Sequence, residues 1–327
     1  MSARARPAIA VVGAGRRRQG LGPFVARNLL AAGAGIPAFV VTSAASAAEV
    51  ARQWARDLGI EARGHLELAS LLREERVDAL AILSPAETHA RHLEAALAAG
   101  LHVLCEKPFV WGVPRLAETA RRLALAFESR GLLLWENCVW PYVLPAFAQL
   151  HPGALAQTPR RLALRLQPAS RGVQMLGDCA PHVLSLAQAL LPGGPARIES
   201  LRFAGGAAEA DALDLAFTYA VGERTLDVEL ELRRRERQPR EAALAVDGRW
   251  AQRLVSAEDY RLSFAADGRT VPLPDPLTLL VADFVRALPS PGERAAAGRS
   301  REIAQRMELL ESIVAGFALH SRGEAGA

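Results

Sequence analysis

One lysine, Lys107, stands among 39 basic side chains, and every other one is arginine. A chain that uses arginine wherever it needs surface charge has kept an amine at a single place. Guanidinium does not give up its proton in a protein, whereas an amine tuned by burial and neighbours can exchange one. Lys107 comes just after the apolar run His102 to Cys105 and beside Glu106. The alternative to proton chemistry is therefore a simple ion pair between Glu106 and Lys107. A second constellation is Gly177-Asp-Cys-Ala-Pro-His182. Four-residue spacing puts Asp178 and His182 on one side of a helix, and Pro181 predicts that this helix starts within about a turn before it. An imidazole there can accept an alcohol proton, and a carboxylate can orient it or bind a hydroxyl. The plain alternatives are a helix cap for Asp178 and a satisfied core histidine for His182.

A third group suits phosphate. Val11-Val-Gly-Ala-Gly15 ends an apolar run with two glycines, Gly13 and Gly15, which let the chain turn tightly and bring backbone N–H groups to a pyrophosphate. Arg18 occupies the third-glycine position of G-x-G-x-x-G, so Gly20 or Gly22 replaces it in a longer loop, with Pro23 in the first helical turn. A glycine-rich turn with no ligand is the alternative. No Asp or Glu occurs before Glu49. The end of the second strand, Val41-Thr42-Ser43, thus lacks the carboxylate that chelates a ribose diol and repels a 2′-phosphate. Ser43 can bond such a phosphate, and Arg16, Arg17 or Arg18 can pair with it unless they are merely solvated. The expected cofactor is NADP(H) in preference to NAD(H).

The elements that must position these groups follow from hydrophobic rhythm. Ile9 to Gly13, Ala38 to Thr42, Ala79 to Leu83, His102 to Cys105 and Leu132 to Trp135 read as buried strands. Phe24 to Ala32, Ala47 to Leu58, His89 to Ala99 and Val113 to Ser129 read as helices. Strict alternation predicts a doubly wound parallel sheet, with Lys107 at the carboxyl end of a strand, where such sheets bind ligands. After Asn137 the pattern changes. Helices are expected over Tyr142 to Leu150 and Asp178 to Leu191, and a strand at Arg161 to Gln167. A run of strands follows: Arg197 to Phe203, Ala212 to Tyr219, Leu226 to Arg233, Ala242 to Val246 and a pair between Trp250 and Phe264. Turns such as Val246-Asp-Gly-Arg249 and Ala266-Asp-Gly-Arg269 predict a mostly antiparallel open sheet. Helices over Pro276 to Ala287 and Arg299 to Ser321 close the chain.

At 327 residues the chain is too long for one core and suits two domains, 1–139 and 140–327. Nothing approaches the ~20 apolar residues of a membrane helix, and Arg16 to Arg18 interrupt the only leader-like run, so a cytoplasmic protein is expected. Cys105, Cys138 and Cys179 have no metal or disulfide spacing. His89 and His92 have no further ligand nearby in the sequence, so no metal is expected. The net charge of +4 and the run Arg233 to Arg240 raise nucleic-acid binding, but Glu236 interrupts the run and no aromatic partners accompany it. A solvated strand end is the better account.

Ser84-Pro-Ala-Glu-Thr-His89, then His92, Ala95-Ala-Leu97, Ala99-Gly100, His102-Val103 and Glu106-Lys-Pro108 resemble the signature of the glucose-fructose oxidoreductase, inositol dehydrogenase and rhizopine-catabolism family. The resemblance implies an NAD(P)-dependent enzyme that moves a hydride between the nicotinamide and a secondary alcohol or ketone of a sugar, polyol or related cyclic substrate. It implies that Lys107 touches nicotinamide and substrate, that Glu106 helps hold the cofactor, and that Ser84, Pro85 and His89 lie against the dinucleotide. Asp178 and His182 are similar to the family's Asp-x-x-x-His element. Ala180 and Ser185 depart from the glycine and aspartate often found two after that Asp and three after that His. A second domain that binds substrate and pairs subunits into a homodimer or homotetramer is also implied. Trp135, Asn137, Trp140 and Tyr142 cluster at the predicted domain junction, where Asn137 and Trp140 are candidate substrate contacts and seam packing is the alternative. A non-catalytic protein that senses a dinucleotide on the same fold is the rival reading.

Overall fold

The computed structural model describes residues 6–15, 20–205, 210–256, 261–289 and 299–325. The chain divides into two compact units, Met1–Asn137 with Leu277–Ala304, and Cys138–Pro276 with Gln305–Ala327.

The first unit alternates strand and helix: β1 (Ile9–Val12), α1 (Gly22–Ala31), β2 (Ala38–Val40), α2 (Ala44–Leu58), β3 (Arg63–His65), α3 (Leu68–Glu74), β4 (Ala79–Ile82), α4 (His89–Ala98), β5 (His102–Cys105), α5 (Leu116–Ser129) and β6 (Leu134–Glu136). All six strands are parallel, in the order β3-β2-β1-β4-β5-β6. Every residue of β1 and β4 is buried, as strands covered on both faces require. The strand order reverses between β1 and β4, which opens a crevice at their carboxyl ends. Two elements lie outside the sequence expectation, β3 and α3. Arg63-Gly-His65 is a three-residue edge strand with two exposed positions, so it has no apolar run to read.

The second unit contains α6 (Leu144–Leu150), β7 (Arg161–Leu166), α7 (Val173–Leu190), β8 (Ala196–Ala204), β9 (Ala212–Val221), β10 (Arg224–Arg233), β11 (Ala242–Val246), β12 (Arg249–Val255), β13 (Leu262–Ala266) and β14 (Arg269–Leu273). Its eight-stranded sheet runs β14-β13-β12-β11-β7-β10-β9-β8. Neighbours are antiparallel apart from β7 and β10, which are parallel. The turns at Asp247-Gly248 and Asp267-Gly268 have positive φ at both central residues, the geometry that matches the twist of paired strands. The second of these turns leads into β14, a strand additional to the predicted set.

Two expectations are corrected. Residues 277–304, read as part of the second domain, belong to the first unit. There α8 (Pro276–Ala287) sets Phe284 against Trp135, ring centroids 6.1 Å apart, and Thr278 bonds Asn28 at 3.0 Å. The last helix, α9 (Ser300–Ala325), begins in that segment. Helix α7 starts at Val173, two turns before Pro181 and not one. An interior proline costs about 3 kcal/mol. Met175, Leu176, Val183, Leu184 and Leu186 are all buried on this helix, and each contributes about 1.5–3 kcal/mol, so burial outweighs the broken bond.

Among the described residues no helix is long and apolar enough to cross a membrane, and no group of three or more His, Cys, Asp or Glu is placed to hold a metal ion.

Candidate active site

The glycines after β1 have distinct tasks. Gly13 has φ +88°, and a Cβ on it would lie 2.6 Å from the Ser84 nitrogen, so the turns after β1 and β4 are in backbone contact. A Cβ on Gly22 would lie 2.2 Å from the Ala14 carbonyl oxygen. Gly22 therefore supplies the close approach of helix to turn that the missing third glycine provides elsewhere, and Pro23 follows in the first turn of α1. Among the described residues, a Cβ on Gly15 would meet nothing within 4 Å. The first turn of α1 holds no acidic residue. A glycine turn at a helix N-terminus free of carboxylates fits a pyrophosphate. Arg16, Arg17 and Arg18 lie outside the described residues, and Gly20 is half-buried just before α1.

Thr42 is exposed at the end of the second strand. Ser43 caps α2: its Oγ accepts the Ser46 N–H at 3.2 Å and donates to Ser46 Oγ at 2.9 Å. The predicted phosphate ligand is thus also a helix cap, and the first turn of α2 likewise has no acidic residue.

The loop after β4 is a chain of hydroxyls. Thr88 donates to the Pro85 carbonyl at 2.7 Å, so at the 2.7 Å contact with Thr88 the donor is Ser84. With its one proton used, Ser84 Oγ accepts from His92 Nδ1 at 3.1 Å, which fixes the His92 tautomer. Burial, with smaller contributions from Arg91 and His89, pushes His92 down to about 4. His89 is fully buried and braces the loops. Its Nδ1 lies 2.9 Å from the Pro108 oxygen and its Nε2 2.8 Å from the Ser84 oxygen. Burial lowers its pKa, against the opposing pull of those carbonyls, Glu136 and Glu87.

Glu106 and Lys107 extend β5 at its carboxyl end, where the Glu106 N–H bonds the Ile82 carbonyl at 2.8 Å. Lys107 Nζ is 4.0 Å from Glu106 Oε1, within range of charge attraction but too long for a hydrogen bond. The lysine side chain is 16 % exposed. Asn137, at the end of β6, donates from Nδ2 to Glu106 Oε2 at 2.6 Å. Its Oδ1 is buried without a hydrogen-bond partner. The adjacent Glu136, buried and missed by the sequence reading, accepts the Phe109 N–H at 2.9 Å. It is the first polar residue after an apolar run, which marks a strand end and nothing more.

In the second unit α7 is buried from Met175 to Gln188 at every position but Asp178 and His182. These two form a half-buried stripe on an otherwise enclosed helix. Asp178 lies inside the helix and so is no N-cap; Ser170 donates to its Oδ2 at 2.5 Å. Ala180 and Ser185 are packed among the buried positions. Trp140 is buried, with the Arg253 guanidinium 5.9 Å from its ring centre, and Tyr142 is half-buried beside it in sequence. Trp135, in the first unit, is core packing, with the Arg299 guanidinium 4.1 Å from its ring centre.

The comparisons agree with this geometry. Residues 8–138 match the family model described as oxidoreductase family, NAD-binding Rossmann fold, that of glucose-fructose oxidoreductase, inositol dehydrogenase and the rhizopine-catabolism proteins. By that match residues 8–138 are similar to this family. It is 42% identical over 119 residues to a dTDP-3,4-didehydro-2,6-dideoxy-alpha-D-glucose 3-reductase of Streptomyces violaceoruber, covering 36% of this chain and 33% of the relative. It is 40% identical over 76 residues to an inositol 2-dehydrogenase of Paracoccus denitrificans, covering 23% of this chain and 21% of that one. The matched segments thus span a third or less of these relatives. Over whole chains, a UDP-N-acetylglucosamine 3-dehydrogenase from Acidithiobacillus ferrooxidans superposes with a TM-score of 0.69 at 25% identity, covering 95% of this chain and 97% of that one.

Proposed function

We propose that the protein is an NAD(P)-dependent oxidoreductase that interconverts a secondary alcohol and a ketone on a sugar, polyol or related cyclic compound. The observation that carries this reading is Lys107, the one lysine of the chain, at the carboxyl end of β5 in a sheet whose β1 and β4 turns form a dinucleotide cradle. The relatives, named for reactions on sugars or inositol, support the substrate class.

When bound, the nicotinamide supplies or accepts the hydride. Gly13, Gly15 and Gly22 shape the turn that holds the pyrophosphate. Lys107 takes or returns the proton of the reacting hydroxyl, with Glu106 beside it and Asn137 fixing the Glu106 carboxylate. The buried Oδ1 of Asn137 offers an acceptor to a ligand hydroxyl or amide. His182 shares the proton transfer, and Asp178, held by Ser170, orients it or binds a neighbouring hydroxyl. NADP(H) is preferred: the uncharged first turn of α2 and Ser43, once its hydroxyl turns from Ser46 Oγ to the ligand, provide hydrogen-bond donors and no carboxylate where a 2′-phosphate sits in this fold. A homodimer or homotetramer belongs to the same reading.

The test is Lys107→Met against a panel of inositols, sugars and sugar nucleotides, with reduced nicotinamide followed by absorbance. Turnover should fall by about 10²–10⁴-fold while NADPH affinity stays within a few-fold. Undiminished turnover would remove the proposed role. A protein that binds NADPH yet consumes it with no member of the panel would instead support the sensor.

A further inference from the structure

Two buried ionisable side chains of the first unit take no part in the reaction proposed above, and both hold the same peptide group. Glu136 Oε1 accepts the Phe109 N–H at 2.9 Å, and His89 Nδ1 meets the Pro108 carbonyl oxygen at 2.9 Å. That peptide begins one residue after Lys107. It is shielded from water, since Phe109 and Val110 are fully buried, so neither end has solvent as an alternative partner. A carboxylate is the strongest neutral-to-ionic acceptor an N–H can find, and it brings no donor that would itself need satisfying. His89 Nε2 lies 2.8 Å from the Ser84 oxygen, so the ring sits between the turn after β5 and the turn after β4, and when neutral it donates its one N–H to one of the two carbonyls.

We propose that Glu136 is a positioning residue for Lys107, with His89 set against the other end of the same peptide: Glu136 holds the Pro108–Phe109 peptide by its N–H and thereby restricts the direction in which the lysine leaves the chain. The proline ring already locks φ at residue 108. Once the next peptide plane is also held, ψ of Pro108 is fixed, and ψ of Lys107 is the one backbone rotation left between the lysine and that held peptide. Glu106 cannot do this alone, because its contact with Nζ is 4.0 Å and sets charge more than direction. The inference rests on the reading of Lys107 as the proton-exchanging group.

The sole lysine makes the test direct. Reductive methylation with ¹³C-formaldehyde labels Lys107 and the α-amine, and a Lys107→Met sample identifies which NMR signal is the lysine. The lysine titration is then read without any substrate. In Glu136→Ala the Lys107 signal should move and its titration midpoint shift. Its kcat should fall about 10- to 100-fold, as a small misplacement of a reacting group does, with KM and NADPH affinity nearly unchanged. Glu136→Gln, which keeps an acceptor oxygen in the same place, should restore most of both. If Glu136→Ala does not fold, Glu136→Asp, whose carboxylate is one methylene short of the Phe109 N–H, is read for the same changes. A folded variant with the wild-type lysine titration and wild-type kcat overturns the proposal. If Lys107→Met is inactive while those readouts are unchanged, only the positioning role fails; if Lys107→Met is fully active, the proposed function fails instead.

Discussion

On the reading proposed above, Ser43 would serve both fold and specificity. Its hydroxyl caps α2, yet it stands where an acidic residue in this fold would hold a ribose diol. Aspartate is as good a cap as serine, so Ser43→Asp should leave the helix intact. A carboxylate there would repel a 2′-phosphate, and affinity for NADPH should drop about fivefold or more relative to NADH; two like unit charges at about 4 Å repel by about 1 kcal/mol even at the dielectric of water. Paired dissociation constants from NADPH and NADH fluorescence check this, and an unchanged ratio would place the 2′ subsite elsewhere. Lys107, Glu106 and the Asp178/His182 spacing could be proposed from sequence because the local pattern singles out each position. Glu136 was not. Its importance comes from a backbone N–H 27 residues away, and no local pattern records a partner at that separation.

At the level of elements, the loop from β1 into α1 does its work through absent side chains, and the two glycines should fail differently. Gly22→Ala would set a methyl 2.2 Å from a backbone oxygen, so α1 must move off the turn. A loss of about 1–3 kcal/mol is expected in urea unfolding, with weaker cofactor binding as a consequence. Gly15→Ala meets no atom within 4 Å among the described residues, so the urea midpoint should hold while cofactor affinity falls, because the added methyl occupies space a phosphate would use. Equal stability for the two variants would contradict the geometry. The same contrast explains what the sequence revealed of the fold. Ile9–Val12 and Ala79–Ile82 were readable because a strand covered on both faces must be apolar throughout. Arg63–His65 was not, since an edge strand buries almost nothing. The start of α7 was misplaced because the local rule about Pro181 gave way to the burial of the whole helix. Residues 277–304 were assigned to the wrong unit because connectivity along the chain carries no information about which core a helix returns to.

Across the whole molecule, buried histidines couple stability to pH in one direction. Burial lowers the pKa of His89, His92 and His102, and His92 drops from the ordinary 6.5 to about 4. In the acid range the unfolded chain therefore binds protons that the folded protein refuses. For such a group the contribution to stability is complete above the unfolded value and is lost as pH falls toward the folded one. The window is thus set between about 6.5 and 4 for His92, whose share is roughly 3 kcal/mol at full loss. Urea midpoints should decline as pH is lowered from 7 to 4. His92→Gln keeps an N–H donor for Ser84 but cannot titrate, so it should flatten that decline while leaving the midpoint at pH 7 nearly as it was. Carboxylates titrate in the same window, which is why the difference between the two proteins, and not the wild-type slope, is the informative quantity. Parallel curves would mean that His92 takes up its proton as readily in the folded protein as in the unfolded chain, and that the hydroxyl relay from His92 through Ser84 to Thr88 tolerates a charged ring.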